Sequence, residues 1–181
     1  WESRPSGESV AGACDGWSDG AEEVMHCKGG GVCTSSDGRG GELAGAMVSV
    51  LGVAGGVDDG LRRGVGVQGV GGSRGLAEAR RLGRALGADD GTFAGLAGVG
   101  DLVACGNHPE HPGYNLGLAL ARGESPEHAQ RVTSEAGALL ALAKRAGVEL
   151  PLTQAIMAIA AGRLKARLAI DMLMRREATR E

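Results

Sequence analysis

The chain has 181 residues, a formal net charge of −3, 43% hydrophobic residues and only 2% aromatic ones. Both charge signs are interspersed and there is no basic run, which argues against binding nucleic acid or an anionic membrane. No apolar stretch approaches about 18 residues without charge, so no membrane-crossing helix is expected, and the core must be built from Leu, Val, Ile and Ala.

Thirty-four glycines are more than twice the usual share of about 7%, yet they follow no G-X-Y period. A glycine inside a helix costs roughly 1 kcal/mol relative to alanine, so the fold reads as marginally stable. Trp1, Glu2, Ser3, Arg4 and Pro5 lack the basic-then-apolar order of a signal peptide. Cys14, Cys27, Cys33 and Cys105 therefore read as free thiols in a reducing cytoplasm rather than as two disulfides.

Residues 1–20 are polar and rich in Gly and Ser, without a clear period. Residues 19–27 (DGAEEVMHC) form a short helical pattern, broken by Gly29, Gly30 and Gly31, and Val32, Cys33 and Thr34 have the composition of a strand. From about Gly41, Leu43, Met47, Val50, Leu51 and Ala54 recur at helical spacing, ending at Gly55-Gly56 or at Asp59-Gly60. Residues 64–72 are the weakest stretch. Leu76, Ala79, Leu82 and Leu86 then mark an amphipathic helix with Gly87 as its stop.

Function concentrates in residues 88–105, ADDGTFAGLAGVGDLVAC. Asp89 or Asp90 starts a helix, and Gly95, Gly98 and Gly100 let backbones approach closely. Asp101 follows as a lone acid in a tight apolar setting, expected to be buried. It is either a ligand-contacting carboxylate or a helix cap. Residues 108–113 read as a loop, Ser125, Pro126 and Glu127 as a helix start, residues 135–146 as a helix stopping at Gly147, and Pro151 and Ala166 open two more helices before a charged tail.

Gly64, Gly66 and Gly69 match G-x-G-x-x-G, but the dinucleotide fingerprint needs a strand before it, and here a helical pattern precedes it. His26, Cys27 and Cys33, with Cys14, offer soft metal ligands without a C-x-x-C pair, so no metal site is assigned. His108 and His111 read as solvated loop residues. Glu135 sits where a first-turn acid would suit the helix dipole.

Taken together, residues 40–178 resemble the C-terminal domain of the bacterial NAD(P)-dependent glycerol-3-phosphate dehydrogenases. The matching residues are Gly41-Glu42-Leu43-Ala44-Gly45-Ala46, Asp59-Gly60-Leu61, Arg74-Gly75-Leu76-Ala77-Glu78, Arg81-Leu82-Gly83, the run from Thr92 to Leu102, and Gly147-Val148-Glu149-Leu150-Pro151-Leu152-Thr153. The resemblance implies a mainly α fold: a multi-helix substrate domain of the 6-phosphogluconate dehydrogenase-like type over residues 41–181. Residues 1–40, through Pro5-Ser6 and His26 to Asp37, resemble a short α/β remnant of the family's Rossmann domain. The chain would then begin partway through that domain, without its Gly-rich cofactor loop.

The resemblance also implies site residues. The family's proton-transferring lysine aligns with Val48, and its Ser-Arg-Asn-Arg segment, which grips phosphate and cofactor, aligns with His111, Pro112, Gly113 and Tyr114. The family asparagine after the Asp-Gly-Leu turn aligns with Gly66. Asp101 matches the family's glycerol-contacting acid and Glu135 its cofactor-contacting glutamate. The implied ligands are glycerol 3-phosphate or dihydroxyacetone phosphate, with NAD or NADP as cofactor, not bound by this chain alone. With Val48 in place of the lysine, turnover by the isolated chain is not expected. Two alternatives stand beside this one. The first is a non-catalytic helical module that forms a homodimer or pairs with a full-length family member through faces around Leu139, Leu140, Ile156 and Ile159. The second is a decayed reading frame, to which Gly69, Gly71 and Gly72 point.

Overall fold

The computed structural model describes residues 6–11, 20, 30–106, 108, 111–124 and 129–175. Two strands, β1 (Ser6–Ala11) and β2 (Gly30–Ser35), pair in parallel, Ser6 opposite Gly30 and Ala11 opposite Ser35. β2 lies where Val32-Cys33-Thr34 predicted it. β1 was illegible because SGESVA carries no apolar alternation; its partner, not its composition, makes it a strand. Of the helix expected at residues 19–27 only Gly20 is described, and the start expected at Ser125, Pro126 and Glu127 lies outside the described residues.

The hub of the fold is α1 (Gly38–Gly60), not the stretch around Asp101. Val50 and Val53 are fully buried, and Leu43, Met47, Leu51 and Val57 nearly so. A helix apolar on most of its circumference belongs in a core. It is also long and apolar enough to cross a bilayer by length and composition, but 67% of its most apolar window is buried inside the fold. It starts at Gly38, before the expected Gly41, because Asp37 caps it, accepting from Gly40 N at 2.9 Å. It runs through Gly55 and Gly56 to the second expected stop.

Asp37 also ties α1 to the next layer. Its carboxylate accepts from Asp89 N at 2.8 Å and Thr92 Oγ1 at 2.7 Å. Desolvation pushes its carboxyl up, but the hydrogen bonds from Thr92, Gly40 and Asp89 and the charge of Arg39 outweigh this and hold it below its ordinary value. A depressed folded pKa gives stability that is present above the unfolded value and lost as pH falls through the folded one. Asp37→Ala is therefore expected to cost about 1–2 kcal/mol at neutral pH, with the gap to wild type closing in denaturant melts at acid pH.

α2 (Val65–Ala85) swallows the whole of residues 65–72, so the glycine-rich stretch is helical after all. Packing against α1 overrides the poor propensity of Gly66, Gly69, Gly71 and Gly72. Gly87 (φ 79°) follows the end of α2 and Gly147 (φ 68°) follows a later helix, each in the left-handed conformation expected of a stop. Residues 88–105 are not one helix but α3 (Asp90–Ala94), a π-helical turn (Leu96–Gly100) and α4 (Asp101–Gly106). As expected, Asp89 caps α3, accepting from Gly91 N at 2.8 Å.

α5 (Pro112–Ala121) crosses α1 more extensively than any other element does. α6 (Ala129–Ala146), α7 (Pro151–Ala160) and α8 (Ala166–Arg175) complete the bundle. Leu139, Ile156 and Ile159 are buried in its own core, so the faces expected to receive a second protein are already used. Their period marked burial correctly but not what would bury them.

Candidate functional site

Val48 lies in the middle of α1 and is buried. It offers no proton and no charge. The segment that the resemblance aligns with a phosphate grip presses onto α1 just beyond it. A Cβ at Gly52, one turn from Val48, would lie 3.0 Å from His111 Nδ1, and one at Gly113 would lie 2.8 Å from the Ser49 carbonyl oxygen. Pro112 is the first residue of α5, so the expected loop ends at His111.

His108 is exposed, as expected, but His111 is not a solvated loop residue. Its Nδ1 is buried without a hydrogen-bond partner. Burial, helped by the nearby His108 and Arg131, holds its imidazole below the ordinary pKa and favours the neutral ring. Arg131 brings α6 into the same neighbourhood, donating from Nε to Glu135 Oε1 at 3.0 Å. Glu135 Oε2 is buried with no partner. Glu135 is mid-helix rather than in the first turn, because α6 starts at or before Ala129. The helix dipole therefore does not explain it. Arg131 thus links Glu135 to the neighbourhood of His111, which packs on α1 one turn from Val48.

Asp101 enters from a different neighbour. It follows the π turn, in which Gly100 N donates to Gly95 O at 3.2 Å, and its own backbone is helical (φ −65°, ψ −37°). An N-cap residue has extended backbone, so capping does not account for this acid. A Cβ at Gly98 would fall 2.0 Å from the Phe93 carbonyl oxygen, which is why the turn needs glycine. Asp101 is half-buried, not the lone buried acid expected.

Among the described residues the buried acids are Asp58 and Glu78, at 6% and 2% exposure. Both were legible by phase. Asp58 falls four and seven residues after Ala54 and Leu51, and Glu78 falls four before Leu82. Glu78 secures the start of α7, accepting from Leu152 N at 2.5 Å, Thr153 N at 3.2 Å and Thr153 Oγ1 at 3.1 Å.

The described residues fit a nicotinamide dinucleotide only in part. The unpartnered Glu135 oxygen is a ready acceptor for a hydroxyl or amide. Pro112, Gly113 and Tyr114 offer its phosphates no cation, and the Tyr114 hydroxyl donates to Asp59 Oδ2. Gly64, Gly66 and Gly69 open α2 after a helix and a short turn rather than after a strand, so the fingerprint context is wrong. Among the described residues no cluster of three metal-ligating side chains exists, and Cys33 is an exposed free thiol. Cys14, His26 and Cys27 lie outside the described residues.

Comparison with known proteins agrees with this architecture. The family profile described as NAD-dependent glycerol-3-phosphate dehydrogenase C-terminus matches residues 37–171. Glycerol-3-phosphate dehydrogenase [NAD(P)+] of Methylibium petroleiphilum is 40% identical over 168 residues, which are 89% of this chain and 50% of that protein. The same enzyme of Alkalilimnicola ehrlichii is 37% identical over 183 residues, 98% of this chain and 55% of that protein. The crystal structure of glycerol-3-phosphate dehydrogenase from Coxiella burnetii superimposes with a TM-score of 0.89 at 30% identity, covering 96% of this chain and 55% of that one. The chain thus spans about half the length of the curated relatives it matches. With its α1-centred helical bundle aligned almost end to end, the chain belongs to the family of NAD-dependent glycerol-3-phosphate dehydrogenase C-terminal domains.

Proposed function

We propose that this chain serves as the helical substrate half of an NAD(P)-linked glycerol-3-phosphate dehydrogenase and does not turn over by itself. The observation that carries the reading is the Glu135 carboxylate, with one oxygen fixed by Arg131 and the other buried and unpartnered. A buried acceptor left open costs stability, and a cofactor amide or hydroxyl brought by a nucleotide domain would satisfy it. In this reading Asp101 contacts the glycerol moiety, residues 1–40 belong to the nucleotide side and residues 41–181 to the substrate side. The parallel pairing of β1 with β2 supports that division. The substrate is dihydroxyacetone phosphate or glycerol 3-phosphate, the place of action is the cytoplasm, and the working form is a homodimer or a pair with a full-length family member.

Reduction of a ketone by hydride needs a proton for the resulting alkoxide and cations for the phosphate. Val48 supplies no proton, and 111–114 carries no arginine or lysine. The chain alone is therefore expected to give no NADH oxidation with dihydroxyacetone phosphate above a buffer blank. Turnover that Asp101→Asn abolishes would overturn the proposal. Mixed with a nucleotide domain from a relative, the Val48→Lys variant is expected to outpace wild type by about 10²–10⁴-fold, the usual worth of a positioned acid or base.

A further inference from the structure

A second concave site lies on another face of α1, where α1, α2 and α4 meet. It is a cavity of about 320 Å³ lined by Leu51, Ala54, Asp58, Gly71, Gly72 and Leu102, among others. That volume is at the lower end of small-molecule pockets. The cavity exists because α2 carries glycines there. A Cβ at Gly72 would come within 3.2 Å of Leu102 Cδ2, and one at Gly71 within 3.4 Å of Asp58 Oδ2. The carboxylate therefore faces the space left by a missing side chain rather than a neighbouring group.

Asp58 is 6% exposed, and no side chain or backbone amide among the described residues donates to its carboxylate. A compensating charge comes from Arg63, in the turn after α1, whose guanidinium donates from Nη2 to Asp171 Oδ1 at 2.6 Å while its buried Nε has no hydrogen-bond partner. Of the other groups around the acid, Gln68 and Ser73 on α2 are neutral, Leu102 and Val103 on α4 are apolar, and Asp59 on α1 is taken by the Tyr114 hydroxyl. The Ser73 hydroxyl donates to Val70 O. At the rim, Val65 and Val103 are 85% and 59% exposed. A buried anion without a donor is costly, and so is bare apolar surface around it.

We propose that this cavity binds a small organic cation, an ammonium or guanidinium head on an apolar body, with the head on Asp58 and the body against Leu51, Leu102, Val65 and Val103. The head supplies the donors the carboxylate lacks, and the body covers the exposed valines. The site needs no nucleotide domain and is independent of the chemistry proposed around Glu135. Burial raises the Asp58 carboxyl to about 6, opposed by Arg63. The acid is thus mostly ionised near neutral pH, and cation binding strengthens as pH rises through that value.

The test titrates the full chain with n-hexylammonium, n-hexanol and hexanoate near pH 7.5, followed by calorimetry and by amide chemical shifts. Saturable hexylammonium binding is expected, with shifts at Gly71, Gly72 and Leu102 and an affinity about tenfold or more above that of hexanol. Asp58→Asn is expected to remove that preference, and Gly72→Ile to remove binding of both. Because the isoleucine variant risks disturbing α2, Asp58→Asn, checked by circular dichroism, decides alone. Equal affinity for ammonium and alcohol, no saturable ammonium binding, or a preference that survives in Asp58→Asn would each overturn the proposal.

Discussion

Replacing Glu78 by alanine is expected to lower the unfolding free energy by about 3–5 kcal/mol, a large share of a typical total of about 5–15. The carboxylate is 2% exposed and takes the first free amides of α7 together with the Thr153 hydroxyl. Alanine would strand those donors in the core at about 1–3 kcal/mol for each unsatisfied group, and would leave a cavity besides. Glu78→Gln keeps one acceptor and is expected to cost about half as much. Burial raises the Glu78 carboxyl, against the hydrogen bonds from Leu152 and Thr153 and the charge of Arg81. With the folded pKa raised, protonation of this carboxyl favours the folded state, a stabilisation present at low pH and lost as pH rises through the folded value. Chemical denaturation of the wild type and both variants across the acid range checks magnitude and sign.

The second large effect concerns the crossing of α1 and α5. A Cβ at Gly117 would lie 2.2 Å from the Val53 carbonyl oxygen and 2.7 Å from Val57 N, and one at Gly56 would lie 2.0 Å from the Tyr114 carbonyl oxygen. These are backbone atoms of packed helices, with no flexible side chain to yield. Gly117→Val is expected to cost at least about 3 kcal/mol, the upper range of overpacking. It would also move His111 away from Gly52. Gly69→Ala is the control. Its Cβ meets nothing within 4 Å on a helix, so it is expected to stabilise by roughly 0.5–1 kcal/mol. Thermal melts of the two variants should move in opposite directions.

That contrast shows what the sequence made legible. Apolar spacing located α1 through Leu43, Met47, Val50 and Leu51, and stop glycines such as Gly87 and Gly147 fixed two helix ends, because both signals are local. The helicity of 65–72 was hidden, since it comes from packing on α1 against local propensity. β1 was hidden too, because its identity rests on a partner about two dozen residues away. For the site, motif likeness pointed to Val48, Asp101 and Glu135. It did not show that His111 is packed against α1 with an unpaired nitrogen, since a proline-containing loop carries no burial signal. Asp58 and Glu78 belong to a residue type seldom buried without a partner, so their composition alone placed them at the surface. Their phase within the apolar stripes was the signal to follow.

The wide turn at Leu96–Gly100 has a further consequence. A π segment closes its turn with one residue more than an α-helix does, and so takes up a surplus residue without turning the side chains that follow about the axis. Excising a single residue there would let the segment relax to ordinary winding, with four steps of about 100° taking the place of five smaller ones, and leave the bearing of Asp101 nearly unchanged. The acid's bearing is therefore buffered against a change of residue count in this turn, and a one-codon deletion absorbed by it would leave that carboxylate facing as before.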